Sequence, residues 1–353
     1  MSSLVKPSSV SGPVAARTLR TPDDLIAAGL APASARAELL AVAGQYATAI
    51  PPAFAALIEQ PDDPIGLQVI PSSEELVVAP AERSDPIGDE ALSPVPGIVH
   101  RYADRALLKP LLVCPLYCRF CFRREHVGPD GGVLDEAALA GALDWLRTHP
   151  QIREVILTGG DPLMLSPRRL GEIVAALSAI AHVTTIRVHT RVPVAAPERV
   201  TDAMLEALET DKAMWMAVHV NHARELSEPA RASLRRIVRR GIPLLGQSVL
   251  LRGVNDSEHA LEALFRGMVE NRMRPYYLHQ LDPAPGTARF HVPAHEGRRL
   301  LAGLRGRVTG LAWPLYVLDI PGGYGKVPLG PDYVDGAEQV RDPSGRAHTL
   351  ARL

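Results

Sequence analysis

The sequence predicts an α/β fold: a parallel sheet curled into a partial (β/α)6 TIM-like barrel, with an N-terminal helical extension and a short C-terminal segment. Three observations predict it. Six apolar, strand-like runs each lead into a helix-like stretch at a spacing of 30–40 residues, the pattern of parallel strands joined by helical crossovers. A seventh run, PLYVLDI at 314–320, closes the series. Polar clusters follow these runs on what becomes one rim, and the C-terminal rim is where a parallel barrel does its chemistry. Periodicity alone leaves a flat, doubly wound sheet open as the alternative.

Each element has its own grounds. Thr21 is placed to cap a helix through DDLIAAGL, and Ser34 one through ARAELLAVAGQYA. Prolines recur from Pro51 to Pro96, so that stretch reads as a wrapping segment with short helices. LLVC (111–114) then leads to a helix near 135–147, and VILTG (155–159) to one near 167–180. There Ser166 is the N-cap candidate, Pro167 fits the first turn, and Leu170, Ile173, Val174, Leu177 and Ile180 make one apolar stripe. TTIRVHT (184–190), MWMAVHV (214–220), IPLLGQSVLL (242–251) and PYYLHQL (275–281) precede helices near 197–209, 227–240, 256–271 and 294–305. Gly241 closes the second of these helices. The expected boundaries are an N-terminal helical and wrapping segment at 1–97, a core at 98–310 and a C-terminal segment at 311–353.

Composition narrows the function classes. The 38 basic and 39 acidic residues nearly cancel, so no whole-chain field steers the protein to nucleic acid or anionic lipid. Aromatics are 5%, too sparse for a base-stacking surface. No apolar run reaches the roughly 20 residues that span a bilayer. The N-terminus lacks an apolar core of signal-peptide length. The expectation is a cytoplasmic protein.

The three cysteines carry the chemistry. Cys114, Cys118 and Cys121 form C-x3-C-x2-C, and a disulfide would leave one over. Three thiolates on one loop can hold three irons of a [4Fe-4S] cubane and leave the fourth open to a ligand. Zinc with His126 as a fourth ligand is the rival, but zinc sites usually add a second, distant pair. Gly159-Gly160-Asp161-Pro162 ends the second strand, where glycines let backbone approach a ligand. Lys326 lies in Pro321-Gly322-Gly323-Tyr324-Gly325-Lys326, which fails the phosphate-loop pattern at Ile320 and Val327.

The cysteine motif, with Phe120 before the third cysteine, resembles that of the radical S-adenosylmethionine enzymes. From about residue 85 to residue 330 the chain is similar to the lysine 2,3-aminomutase family. The stretches that carry this are DPIGDEALSPVPGIVHRYADRALL, CRFCFRRE, LTGGDPLML, TRVPVAAPERVT, HVNHARE, QSVLLRGVND, YYLHQLDPAPG and DIPGGYGKVP. The resemblance implies a 1,2-amino migration from L-lysine to β-lysine, with a [4Fe-4S] cluster, S-adenosyl-L-methionine and pyridoxal 5′-phosphate. It leaves open a role in modifying elongation factor P and action on another amino acid. It implies that Lys326 carries the pyridoxal phosphate and that Arg101, Tyr102 and Arg105, just before the first strand, surround that cofactor. Gly159, Gly160, Asp161, His219 and Asn221 become cofactor contacts. Arg123 matches the group that grips the substrate carboxylate, a task suited to a guanidinium fork. Asp282 and Asp319 match the two carboxylates around the lysine ammonium. The implied partners are an amino-acid substrate, an electron donor such as flavodoxin or ferredoxin, and further copies of the chain. Some family members carry a structural zinc; Ser257 stands where such a member has cysteine, so no such zinc is expected.

Overall fold

The computed structural model describes residues 17–335 and 339–349, and the first sixteen residues of the N-terminal segment lie outside it. The chain opens with three short helices, α1 (Pro22–Ala27), α2 (Arg36–Ala43) and α3 (Pro52–Ala55). Thr21 caps α1 through a reciprocal bond with Asp24. Ser34 does not cap α2; it sits in a 3-10 turn, Ala33–Ala35, that runs directly into the helix.

Nine strands then form one sheet in sequence order: β1 (Ile98–Tyr102), β2 (Arg105–Leu111), β3 (Glu154–Gly159), β4 (Thr185–Thr190), β5 (Ala213–His219), β6 (Leu244–Val249), β7 (Met273–His279), β8 (Leu315–Asp319) and β9 (Lys326–Pro328). β2 to β8 pair in parallel, while β1 and β9 add antiparallel edges. The six units and the seventh strand are therefore present, in an open, curled sheet. The first parallel strand lies earlier than LLVC suggests. Arg105 is its first residue, and Leu112 leaves the strand to bond the Gly132 carbonyl. A small sheet of β10 (Val334–Asp335), β11 (Gln339–Arg341) and β12 (Ala347–Thr349) follows.

The crossover helices are α4 (Glu136–Arg147), α5 (Pro167–Ser178), α6 (Val192–Ala195), α7 (Asp202–Glu206), α8 (Glu228–Arg239), α9 (Glu258–Glu270) and α10 (Ala294–Leu304). In α5, Leu170, Ile173, Val174 and Leu177 are buried and Ser166 caps the first turn. The helix expected near 197–209 is broken: Pro197 opens a 3-10 turn, and Thr201 then caps the five-residue α7. Proline disfavours helical backbone in the residue before it, here Ala196 at φ −144°. Ser257 caps α9, accepting from the Ala260 N–H at 3.2 Å.

The wrapping segment grips the loop that carries the cysteines. The Tyr117 N–H donates to the Ala49 carbonyl, and the Arg119 N–H donates to the Gln68 carbonyl at 2.8 Å. Glu75, wholly buried, accepts from Arg119 Nε at 3.0 Å, from Arg124 Nη2 and from Arg289 Nη2 at 3.4 Å. Burial works against its charge, but Arg119 and Arg124 outweigh burial and hold its carboxyl below the usual range. Removing one charge from a buried pair leaves the other uncompensated, costing about 3–5 kcal/mol. Glu75→Gln is therefore expected to lower the denaturant midpoint sharply with an unchanged slope. A midpoint equal to wild type would show that the cluster of charges contributes nothing to the fold.

Candidate active site

The sheet's concave face encloses a cavity of about 1070 Å³. Cys114, Cys118 and Cys121 line it at one end, and Arg101, Tyr102, Arg105, Arg123, Gly159, Gly160, Asp161, His219, Asp282, Asp319 and Lys326 line the rest. Residues from eight different strands and loops thus meet in one cavity.

The thiols suit a cationic guest. Burial pushes Cys121 up to about 11, with Cys118 beside it adding to the rise. Burial also raises Cys114, followed by Asp161 and the other two thiols. Thiols of this kind ionise against a metal, which takes thiolates. Among the described residues no three His, Cys, Asp or Glu gather tightly enough to hold a single ion. A cubane does not need them to, because each cysteine holds a different iron. His126, the fourth ligand of the zinc alternative, instead lies 3.4 Å from Glu90.

The glycines of strand β3 serve the chain first. A Cβ on Gly160 would lie 2.5 Å from the Val113 nitrogen, and one on Gly159 would lie 2.6 Å from the Leu111 carbonyl oxygen. Their missing side chains let the start of the cysteine loop pass directly over β3. Asp161 also lines the cavity, yet its carboxylate accepts from Thr190 Oγ1 at 2.7 Å and from the Arg191 N–H at 2.7 Å. It clamps the end of β4. Asn221 is a sequence candidate that the structure keeps out of the cavity. It is wholly buried, donates to Gln68 Oε1 at 3.0 Å and accepts from the Val249 N–H at 2.9 Å.

Lys326 begins β9 and is the register partner of Asp319 at the end of β8. Its Nζ lies 2.8 Å and 2.6 Å from the two Asp319 oxygens. Arg101 donates to the same carboxylate at 3.0 Å, and Tyr102 Oη accepts from the Lys326 N–H at 2.9 Å. Arg105 stacks 3.9 Å over the Tyr102 ring. Asp319 is therefore counter-ion to a lysine and an arginine, whereas the sequence reading gives it to the substrate. Asp282 has no such partner. It is half-buried, its Oδ1 is out of solvent and accepts no hydrogen bond, and burial, followed by repulsion from Asp319, pushes it up to about 7.

One partner of a site residue escapes the sequence reading. Asp89, in the proline-rich stretch, bonds Arg123 Nε at 2.7 Å and lies 3.8 Å from Lys109. His189 and His219 are held well below the ordinary histidine range, chiefly by burial, and each leaves Nε2 without a partner. Buried polar atoms left unpaired cost about 1–3 kcal/mol each. The orphaned atoms of Arg101, His189, His219 and Asp282 all belong to residues lining this one cavity. A polar, ring-bearing guest satisfies them, so the residues present fit both a cluster and an organic cofactor with an anionic arm.

Comparison with known proteins agrees. Residues 108–264 match the model of the radical SAM superfamily, and residues 301–341 match the lysine-2,3-aminomutase model. The chain is 40% identical over 288 residues to an L-lysine 2,3-aminomutase of Acetoanaerobium sticklandii, covering 81% of this chain and 70% of that one. The chain belongs to the lysine 2,3-aminomutase family. A Clostridium subterminale L-lysine 2,3-aminomutase is likewise 40% identical, with 81% and 69% covered. A Clostridioides difficile glutamate 2,3-aminomutase is 34% identical over 295 residues, with 83% and 70% covered. The protein is thus a radical S-adenosylmethionine isomerase of the aminomutase class. The cofactor set that goes with this membership is a [4Fe-4S] cluster, S-adenosyl-L-methionine and pyridoxal 5′-phosphate. Among the described residues no helix is long and apolar enough to cross a membrane.

Proposed function

We propose that the enzyme converts L-lysine to a β-lysine, with the cluster on Cys114, Cys118 and Cys121 and pyridoxal phosphate on Lys326. The cofactors supply a hydrogen-abstracting radical and a ring that delocalises an unpaired electron. The chain's own residues bind, orient and shield. Arg123 offers a guanidinium to the substrate carboxylate. Asp319 holds Lys326 Nζ in place, and Arg101, Tyr102 and Arg105 supply the anion-binding end. Phe120 and Leu281 line the cavity and are buried, which keeps water from the reacting carbons. S-adenosylmethionine would lie over Gly159 and Gly160, next to His219. A flavodoxin or ferredoxin as electron donor, a cytoplasmic site of action and a homo-oligomer complete the proposal.

The observation that carries lysine as substrate is Asp282, a half-buried carboxyl lining the cavity whose solvent-free Oδ1 has no partner. A charged amine entering a desolvated site needs opposite charge there. The far carboxylate of glutamate would meet repulsion from Asp282 instead. The glutamate-acting relative keeps glutamate as the second reading.

Losing Asp282 leaves the ammonium under-compensated, costing roughly 2–5 kcal/mol, or about 30-fold to several thousand-fold in kcat/KM. Asp282→Asn is therefore expected to impair turnover of lysine while iron content and pyridoxal loading stay unchanged. The pH dependence follows from its raised value. Below about 7 the carboxyl of the free enzyme is protonated and must release its proton to receive an ammonium. KM for lysine is expected to rise as pH falls through that range, and this rise is expected to vanish in Asp282→Asn. Wild-type kinetics in the variant would remove Asp282 from the substrate site.

A further inference from the structure

We propose that Arg191 is a positioning residue that raises the reduction potential of the cluster by donating a hydrogen bond to the Cys118 sulfur. The inference rests on the cluster being held by Cys114, Cys118 and Cys121. Arg191 Nη1 lies 2.7 Å from Cys118 Sγ. Among the described residues, neither Cys114 nor Cys121 receives such a bond from a side chain.

The guanidinium is fixed on every side. Nη2 donates to Gln68 Oε1 at 2.6 Å and to Glu225 Oε2 at 2.9 Å. The Phe54 and Phe120 rings lie 5.1 Å and 5.7 Å from its central carbon. Its backbone N–H is tied to Asp161, and its side chain is 7% exposed. Glu225 is itself pinned, accepting from the Asn221 N–H at 2.9 Å and the His222 N–H at 3.0 Å. Glu225 and Gln68 hold one face of the fork so that the other meets sulfur.

The electrostatic consequence has a definite sign. When the cluster takes one electron from an external donor, no bond forms or breaks, and one negative charge is added to the iron and its sulfurs. Hydrogen bonds to cysteine sulfur and a nearby fixed cation favour the more negative state. The dry surroundings of Arg191 weaken the screening that solvent would provide. Arg191 therefore eases the reduction that must precede use of S-adenosylmethionine.

The test is a redox titration of anaerobically reconstituted full-length enzyme, poised with dithionite and mediators and read by electron paramagnetic resonance. Arg191→Gln is expected to hold four irons but to shift the midpoint downward. A tenfold loss in the reduction equilibrium is about 59 mV for this one-electron couple. Arg191→Lys keeps the charge but loses the planar fork, so a smaller downward shift is expected. An Arg191→Gln protein with four irons and a wild-type midpoint overturns the proposal. Should that variant hold no iron, the lysine variant decides, and an unmoved midpoint there overturns it equally. A wild-type protein that holds no cluster would instead refute the cysteine assignment, so the two failures are distinct.

Discussion

Cys118→Ala is expected to lose the brown iron–sulfur chromophore and all cleavage of S-adenosylmethionine. The loop that carries the three thiols is fixed by backbone bonds to Ala49 and Gln68. Cys118 is also the sulfur that receives the Arg191 guanidinium. With two thiolates left, two irons of the cubane have no protein ligand instead of one. Loss of activity is expected to exceed three orders of magnitude, because the radical is the only source of the hydrogen abstraction on which the reaction depends. Iron analysis, visible absorption and an anaerobic cleavage assay read the outcome together. Unfolding is a separate question, settled by a wild-type circular dichroism melt of the metal-free protein. A Cys118→Ala enzyme that retains a normal cluster would sink the assignment.

Lys326→Ala is the second large effect. Its ammonium is held by both oxygens of a buried carboxylate, and its backbone N–H is tied to the Tyr102 hydroxyl. No other described lysine is so placed. Lys109 sits by Asp89, and Lys212 donates to the Ile180 carbonyl at 3.2 Å. Borohydride reduction of the holoenzyme followed by peptide mapping is expected to place a pyridoxyl group on Lys326. The alanine variant is expected to bind the cofactor weakly and to rearrange no substrate, while the cluster assembles normally. Labelling at Lys109 or Lys212 would refute the role given to Lys326.

Much of this site is legible in the sequence because its donors lie at the ends of strands with strong apolar signals. VILTG, MWMAVHV and PYYLHQL mark β3, β5 and β7, and their ends deliver Gly159, His219 and Asp282. What stays hidden depends on contacts between distant segments. Asp89 and Glu75 lie in a stretch without periodicity, so their partners Arg123 and Arg119 emerge only when the wrapping segment is folded against the cysteine loop. The β8–β9 hairpin is likewise unreadable. PGGYG reads as a loop, and the register that sets Asp319 opposite Lys326 is fixed by strand pairing. Asn221 shows the converse error. A polar residue at a strand end looks like a site residue, yet this one bonds Gln68 and the Val249 N–H and stays inside the protein. The break in the helix near 197–209 follows from Pro197, a local signal outweighed by the apolar residues after it.

The proposed choice of lysine rests on Asp282, since Asp319 is already engaged by Lys326 and Arg101. The most direct measurement is anaerobic incubation of the reconstituted enzyme with a panel of amino acids, followed by mass-spectrometric and chromatographic product analysis. β-Lysine from L-lysine, with little or no product from glutamate, is the expected result. An enzyme that leaves lysine untouched and yields β-glutamate would contradict it, because Asp282 would then face a carboxylate it should repel.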